Sequence, residues 1–252
     1  MSDQLINQVN KNGETALSLA TKNGLKNICD LLEKKYEEQQ TKFEQLILAI
    51  KGNKAEEAER LVKQMDAHIL NKVTTNGDTA LAWAAMKNLE KVCELLISKM
   101  SDQTINHVAN SGNTALIVAA WKGLEKVCVL LISRMTEEAI NHIDDDGDTA
   151  LTLAASYGLE KICELLILKM TDQAINHVNN YGETALSLAQ QKGLKNICDL
   201  LTLKLSEQNK TNIEKDYEEQ PTKMLITSED NELNEIISHQ NINDDATILG
   251  VD

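Results

Sequence analysis

Residues 112–143, GNTALIVAAWKGLEKVCVLLISRMTEEAINHI, form a unit that recurs along the chain with modest changes. Four copies open with a glycine, and these glycines lie 35 residues apart: Gly77, Gly112, Gly147 and Gly182. A further copy begins at Gly13. A fixed period of this length is typical of stacked supersecondary units, each of which contacts only its neighbours. The sequence therefore predicts one elongated repeat domain.

Within each copy, a Thr-Ala-Leu start, an Ala pair and a Leu-Leu pair recur at helical spacing, which predicts two short helices with an apolar stripe toward the neighbouring copies. The copies resemble the ankyrin repeat, whose pattern is Gly-x-Thr-Pro-Leu-His, an Ala-Ala pair, a Gly and a Leu-rich second helix. The resemblance covers residues 1–205 closely. It implies an all-α fold, an ankyrin-repeat solenoid of stacked helix-turn-helix units.

The copies depart from the ankyrin pattern in two ways. Alanine replaces the proline, and the histidine is replaced by Ser18, Ala82, Ile117, Thr152 or Ser187. Proline presets the first helical turn and the histidine usually helps to bond neighbouring repeats, so we expect an effect on stability rather than on fold. The period is 35 residues, against roughly 33 in the family. The additional residues fall in MSDQTIN, MTEEAIN and MTDQAIN, where Ser or Thr before acidic residues predicts the N-cap of an added helical turn.

The register of the copies sets the expected repeat boundaries. Repeats are predicted at 1–41, 42–76 (degenerate), 77–111, 112–146, 147–181 and 182–205, followed by a polar insertion at 206–221 and a degenerate capping repeat at 222–252. Gly13 and Lys42, which stand at equivalent positions, are only 29 residues apart, so six residues of the loop between repeats are missing. Residues 26–51 contain neither Gly nor Pro. We therefore expect a tight or continuous helical joint at 36–44.

Composition limits the classes of function. The formal net charge is −14, which disfavours nucleic acid because binding to phosphates depends on Lys and Arg. No run of about 18 apolar residues could span a membrane. The N-terminal MSDQLINQVN lacks the features of a secretory signal. We expect a soluble, cytoplasmic protein, although a signal-independent export route to another compartment or to a host would leave no mark in the sequence.

The residues that could bind a metal instead repeat in register. Cys29, Cys93, Cys128, Cys163 and Cys198 occupy one position of the unit, which predicts buried free thiols rather than disulfides. The family resemblance gives Asn71, Asn106, Asn141 and Asn176 a structural role, bonding backbone groups between repeats. Two of His107, His142 and His177 could share a metal only with distortion, and no third ligand is supplied. No metal or cofactor site is predicted.

The acidic segment from Asp144 to Asp148 resembles a calcium loop only superficially. With Gly147 at the sixth position of such a loop, His142 stands at the first and Leu153 at the twelfth, so two obligatory ligands fail. No phosphate-binding glycine loop occurs, and no His, Cys and Asp set departs from the repeat register. An enzyme would need an irregular constellation of this kind. We therefore expect no catalytic activity and read the segment as an acidic loop tip.

Residues that differ between the copies are free to bind a partner. Trp83 aligns with Leu19, Val118, Leu153 and Leu188, which predicts a core position. Trp121 instead aligns with Lys22, Met86, Ser156 and Gln191 and should be exposed. In the ankyrin family these loop tips and exposed helix positions line a concave partner-binding face. The resemblance therefore implies a site formed by Met86, Trp121, Tyr157, Tyr181, Asp145, Asp146 and Asp148. We expect the three aromatic side chains to form one continuous patch.

These features favour a non-enzymatic module that binds a protein partner on its concave face. The partner would present both basic and apolar groups, and the chain itself would be a monomer. One alternative is a self-associating structural scaffold that makes contacts through the polar segments 33–44 and 206–221. A second alternative is a regulatory or inhibitory subunit.

Overall fold

The computed structural model describes residues 9–207. The first residues of repeat 1, nearly all of the insertion expected at 206–221 and the capping repeat expected at 222–252 lie outside the described residues. The chain divides into two compact units, Met1–Leu201 and Thr202–Asp252, and only residues 202–207 of the second unit are described. Within 9–207 the ordered elements are helices joined by short turns, as the all-α prediction requires.

Three kinds of helix alternate: a seven- or eight-residue inner helix, a ten-residue outer helix and a four-residue short helix. The helices are α1 (Ala16–Lys22), α2 (Lys26–Lys51), α3 (Ala55–Gln64), α4 (Ala67–Leu70), α5 (Ala80–Met86), α6 (Glu90–Lys99), α7 (Asp102–Ile105), α8 (Ala115–Trp121), α9 (Glu125–Arg134), α10 (Glu137–Ile140), α11 (Ala150–Ser156), α12 (Glu160–Lys169), α13 (Asp172–Ile175) and α14 (Ala185–Lys192). Residues 195–207 are also helical. The inner helices are α5, α8, α11 and α14, and the short helices are α4, α7, α10 and α13.

Each inner helix begins at a threonine, which is buried in α5, α8 and α11 and half-buried in α14. The hydroxyl of Thr114 accepts a hydrogen bond from the backbone N–H of Ile117 at 3.2 Å, and the same cap forms at Thr79, Thr149 and Thr184. An N-cap of this kind stabilises a helix by about 1 kcal/mol. The cap supplies the helix start that the missing proline would otherwise favour.

A hairpin turn precedes each inner helix and requires the glycine of the repeat. Gly112 has φ +72°, and a Cβ atom there would lie 2.5 Å from Oδ1 of Asp145 in the next hairpin turn. The turn is closed by an isolated β-bridge between Val108 and Thr114. Because a side chain would be both strained and blocked, only glycine fits this position.

The short helices confirm the added turn predicted from MSDQTIN and its copies. Ser101 caps α7, and its hydroxyl accepts from the N–H of Thr104. The backbone N–H of Ser101 itself donates to Oδ1 of Asn71 in the preceding repeat at 3.0 Å. Asn106 and Asn141 accept in the same way from the caps of the next short helices, both at 2.9 Å. The loop asparagines therefore join neighbouring repeats, as the sequence indicated.

Two further kinds of side chain make long-range bonds that the sequence did not predict. Nε2 of His107 donates to the carbonyl of Gly77 at 2.8 Å, and His142 donates to Gly112 at 2.9 Å. The ammonium of Lys99 donates to the carbonyls at the end of α3, with distances of 2.9 Å to Val62 and Lys63 and 3.2 Å to Met65. Arg134 makes the equivalent contacts with the end of α6. The histidine thus joins the last loop of a repeat to the glycine that opens the same repeat, and the basic residue joins neighbouring repeats.

The joint predicted at 36–44 is a continuous helix. Helix α2 runs without interruption for 26 residues from the outer position of repeat 1 to the inner position of repeat 2, a length of about 39 Å. In repeats joined by a loop, the outer and the next inner helix run in opposite directions. A single helix cannot reverse, so α2 separates repeat 1 from the stacked position that the other repeats occupy.

The core confirms this separation. One hydrophobic cluster extends from Phe43 to Leu201, whereas Ala20 and Leu32 form a separate small cluster in repeat 1. Val92, Val127 and Ile162 are fully buried, but the equivalent residue of repeat 2 is the exposed Glu57. A polar outer face is what a terminal unit of a stack needs. Repeat 2 therefore ends the main stack on its N-terminal side.

The prediction that all five cysteines are buried was wrong for the two outermost ones. Cys93, Cys128 and Cys163 are buried free thiols, while Cys29 and Cys198 are only half-buried. Burial raises the pKa of each of the three inner thiols to about 12. The difference arises because Cys29 lies in the detached repeat 1 and Cys198 lies in the last repeat of the described stack.

Candidate functional site

Three cavities lie beside successive inner helices and the hairpin turns next to them. Cavity 1 has a volume of about 320 Å³, cavity 2 about 120 Å³ and cavity 3 about 360 Å³. Cavity 1 is lined by Gln40, Phe43, Glu44, Ile47, Leu48, Lys51, Thr74 and Thr75. Cavity 2 is lined by Asp78, Ala82, Trp83, Met86, Ser111, Asn113 and Val118. Cavity 3 is lined by Met86, Asn113, Ile117, Val118, Trp121, Asp144, Asp146, Asp148 and Leu153.

Cavities 2 and 3 are the same site one repeat apart. Adding 35 to every residue number of cavity 2 gives a residue of cavity 3, and the two cavities share Met86, Asn113 and Val118. Four residues of cavity 1 are equivalent to residues of cavity 2 in the same way: Phe43, Ile47, Leu48 and Lys51. We call this row of cavities the inner groove.

The chemistry of the inner groove changes along its length although its framework repeats. Where cavity 2 has Ser111 and Asn113, cavity 3 has Asp146 and Asp148. Where cavity 2 has Met86, cavity 3 has the large indole of Trp121. Cavity 3 therefore combines the strongest negative charge of the groove with an aromatic wall.

The acidic turn of cavity 3 is held by its own backbone. Oδ1 of Asp144 accepts from the N–H groups of Asp146 at 3.0 Å and Asp148 at 2.8 Å. Burial, with smaller contributions from the neighbouring carboxylates of Asp148 and Asp146, raises the pKa of Asp144 above its ordinary value. Oδ1 of Asp148 accepts from Thr152 Oγ1 and Asn179 Nδ2, both at 2.9 Å. This network fixes two carboxylates and leaves the Asp146 side chain directed by no described hydrogen bond.

The structure brings together four of the seven predicted site residues, namely Met86, Trp121, Asp146 and Asp148, in the lining of cavity 3. Tyr157, Tyr181 and Asp145 are exposed but do not line it. Tyr157 is the C-cap of α11, one residue beyond the position that Trp121 holds at the end of α8. The expected continuous aromatic patch remains a prediction.

Trp83 corrects the expectation of a core residue. Its side chain packs against the core but is only partly buried, and it lines cavity 2. The ammonium of Lys51 lies 4.2 Å from the centre of its ring, and Nε1 has no hydrogen-bond partner within the described part of the chain. The apolar residues in its register gave the core prediction. Val118 and Leu153, which share this register position, also line the groove, so the position faces both the core and the groove.

Four polar lining residues of cavities 2 and 3 were absent from the predicted site: Asp78, Ser111, Asn113 and Asp144. Asp78 and Asn113 share one position of the repeat with Asp148. The residues that align with Asp148 in the other repeats include both Asp78 and Asn113, so the repeat alignment contains the signal that identifies them. Asp144 could not be found in this way because its place in the lining depends on how the turn folds.

Lysine ammonium groups cover both groove tryptophans. Besides Lys51 over Trp83, the ammonium of Lys122 lies 3.7 Å from the ring centre of Trp121. An indole face attracts cations through its quadrupole. The aromatic rings of the groove therefore already hold positive charge from the chain itself.

Residues 9–207 are also informative about metal binding and membrane spans. No three His, Cys, Asp or Glu side chains in this range lie close enough together to hold a metal ion. No helix of the same range is long and apolar enough to cross a membrane.

The fold and the groove define a helical repeat protein with a row of cavities along its inner helices. The sequence matches the family model "Ankyrin repeats (3 copies)" at residues 46–139 and 132–213, which together span 168 of the 252 residues. The chain belongs to the ankyrin repeat family. Ankyrin repeats are generally protein–protein interaction modules, and the family is typically non-enzymatic.

A curated relative agrees with this assignment. A protein of Rickettsia felis named as an ankyrin repeat protein is 44% identical to the chain over 57 residues. The aligned part covers 23% of this chain and 24% of that protein. The chain thus matches about a quarter of the length of this relative.

Proposed function

We propose that the protein binds a protein partner in the inner groove, the face that ankyrin repeats present as their concave side. The partner carries apolar groups for the groove walls and basic groups for its acidic turn. The chain acts as a monomeric binding module without catalytic activity, and nucleic acid is not its partner. We also propose a cytoplasmic location.

The observation that carries this proposal is the composition of cavity 3. The positions that line it recur one repeat along the stack, and Trp121, Asp146 and Asp148 stand where cavity 2 has Met86, Ser111 and Asn113. Differences at the positions that line a groove are expected where a partner is recognised. Tryptophan is also enriched among residues that dominate binding energy.

The proposal can be tested by photo-crosslinking in the native host. A photoreactive amino acid at Met86 should capture one protein that the same group at Leu168, an exposed residue of the outer helix α12, does not capture. Calorimetry with the captured partner then compares the wild type with the double variant Trp121→Ala, Tyr157→Ala. We expect the double variant to lose at least about 2 kcal/mol of binding free energy, which is roughly thirtyfold in affinity.

The control is Leu168→Ala, which removes an exposed apolar side chain on the other side of the repeat. It should leave both the affinity and the melting temperature nearly unchanged, as surface substitutions generally do. Unchanged affinity in the Trp121, Tyr157 variant would place the interface elsewhere. If the captured partner is an enzyme and its activity falls when this protein binds it, the result would favour the alternative function of a regulatory or inhibitory subunit.

One observation favours self-association as a second candidate function. The apolar side chains of Leu25, Ile28 and Leu31 in the detached repeat 1 are exposed. A second copy of the chain could cover them. Sedimentation at several concentrations separates the two functions, because a binding module stays monomeric and a scaffold grows with concentration.

A further inference from the structure

We propose that cavity 3 is a binding site for an arginine side chain of the partner. This inference rests on the proposed function and names the group that the inner groove recognises. The guanidinium would lie against the indole of Trp121 and receive its counter-charge from Asp146, with Met86 and Leu153 enclosing the aliphatic stem.

The first support is a charge that the chain does not neutralise. Asp144, Asp145, Asp146 and Asp148 stand within five residues. No ion pair to any of the four occurs among the described residues, although Lys and Arg form ion pairs with acidic residues elsewhere in the stack. A cation from outside is therefore the missing partner of this turn.

The second support is the state of the individual carboxylates. Asp144 and Asp148 already accept hydrogen bonds from backbone N–H, hydroxyl or amide groups. The side chain of Asp146 has no hydrogen bond within the described residues, is exposed and lines the cavity. Asp146 is consequently the carboxylate that can accept two N–H bonds from one guanidinium.

The third support is the wall of the cavity. Lys122 shows that the indole of Trp121 holds a cation at 3.7 Å from its ring centre. A planar guanidinium can stack on an indole and bond a carboxylate at its edge at the same time, whereas a lysine ammonium is a compact and strongly hydrated point charge. The pairing of Trp121 with Asp146 therefore favours arginine over lysine.

The volume and the position of the cavity agree with such a ligand. About 360 Å³ is available, and the apolar lining includes Met86, Ile117, Val118 and Leu153. These groups match the methylene stem of arginine and an adjacent apolar side chain of the same segment. Cavity 2, with Ser111 and Asn113 in the place of Asp146 and Asp148, offers the same framework with a single carboxylate, Asp78.

The test uses the full-length protein and peptides selected from a random phage-displayed library. We expect the selected peptides to carry an arginine beside a large apolar residue. Each arginine is then replaced by citrulline, which has nearly the same shape without the charge. Loss of a hydrogen-bonded charge should weaken binding to the wild type about tenfold or more, measured by calorimetry.

A double-mutant comparison assigns this effect to Asp146. In Asp146→Asn the difference between the arginine and citrulline peptides should shrink to about twofold. Asp145→Asn is the matched control, because it removes the same charge from the neighbouring exposed residue that does not line the cavity. It should retain most of the tenfold difference.

The outcomes separate this inference from the proposed function. If Trp121→Ala weakens both peptides but citrulline binds as well as arginine, the groove binds partners and the arginine site is wrong. If replacing the arginine of the peptide by lysine does not weaken binding, the proposed preference for arginine is wrong. If Trp121→Ala changes the binding of neither peptide, the proposed groove and the arginine site both fail.

Discussion

Repeats 1 and 6 have nearly the same sequence in two different surroundings. GETALSLATKNGLKNICDLL at 13–32 and GETALSLAQQKGLKNICDLL at 182–201 differ at three of 20 positions. Ile197 is 0% and Leu194 is 7% exposed, whereas the identical Ile28 and Leu25 are 46% and 47% exposed. The same side chains are thus core in one repeat and surface in the other.

The difference teaches that burial in this protein is decided by the connection between repeats. Repeat 6 follows repeat 5 through a short helix and a hairpin turn, so α14 packs on α11. Repeat 1 leads into repeat 2 through the uninterrupted α2. The six missing loop residues, rather than any change in the apolar residues, remove repeat 1 from the stack.

The comparison predicts its largest effect for a buried charge. Ile197→Asp should lower the free energy of unfolding by several kcal/mol, because an unpaired charge in a packed interface is strongly unfavourable. Ile28→Asp should change it by less than about 1 kcal/mol, since the residue is half exposed. Urea denaturation of the two variants checks the contrast, and equal destabilisation would show that repeat 1 is stacked after all.

The cysteines extend the comparison to alkaline pH. The pKa of Cys93, Cys128 and Cys163 is about 12 in the folded protein, against about 8.5 for an ordinary thiol. The unfolded chain releases these protons first, so the stability present below about pH 8.5 falls as the pH rises toward 12. At one pH unit above the ordinary pKa, each thiol should lower the free energy of unfolding by roughly 1 kcal/mol.

Replacing the three buried cysteines by alanine should remove this part of the alkaline loss. Unfolding midpoints of wild type and variant, compared between pH 8 and 10, provide the measurement. A triple variant with the same alkaline slope as the wild type would contradict the burial of these thiols.

Restoring the missing loop should bring repeat 1 closer to repeat 6. The change inserts residues 106–111, NHVANS, before Lys42, with Lys42→Gly and Glu57→Val to provide the turn and an apolar contact. Burial of Ile28 and Leu25 should then add about 1–2 kcal/mol of stability. Amide exchange of Ile28 measures the result, and unchanged protection would mean that the loop is not what separates the repeats.

The smallest expected effect concerns the attachment of α2 to repeat 2. The ammonium of Lys72 lies 5.0 Å from the ring centre of Tyr36 and 3.3 Å from Oε1 of Gln40. Burial lowers the pKa of Lys72 from its ordinary value, and Glu44 acts in the opposite direction. Tyr36→Ala should cost about 0.5–1 kcal/mol and increase amide exchange only in the first half of α2. Increased exchange throughout repeats 3–5 would contradict this local role.

Most of the fold could be predicted because the repeat register carries it. The 35-residue period placed the inner and outer helices, the positive-φ glycines and the short helix, and the absence of breakers placed α2. The end effects at Cys29 and Cys198 were missed because identical residues do not reveal whether a neighbour covers them. The bonds of His107 and Lys99 were missed because their partners lie 30 to 37 residues away.

The site could be predicted only in part. Comparing repeats identified Met86, Trp121, Asp146 and Asp148, which line cavity 3. It could not resolve the direction of a side chain, and one residue along a helix rotates that direction by about 100°. This is why Trp121, the last residue of α8, lines the cavity and Tyr157, the C-cap of α11, does not.

The hydrogen bonds between repeats have a consequence for how such a chain can lengthen. Each 35-residue segment brings an asparagine that bonds the following segment, a basic residue that bonds the preceding one and a histidine that bonds within its own segment. A tandem duplication of the coding segment therefore copies both halves of every contact at once. A new copy fits between two old ones without compensating mutations elsewhere, so the array can grow or shrink by whole units during inheritance.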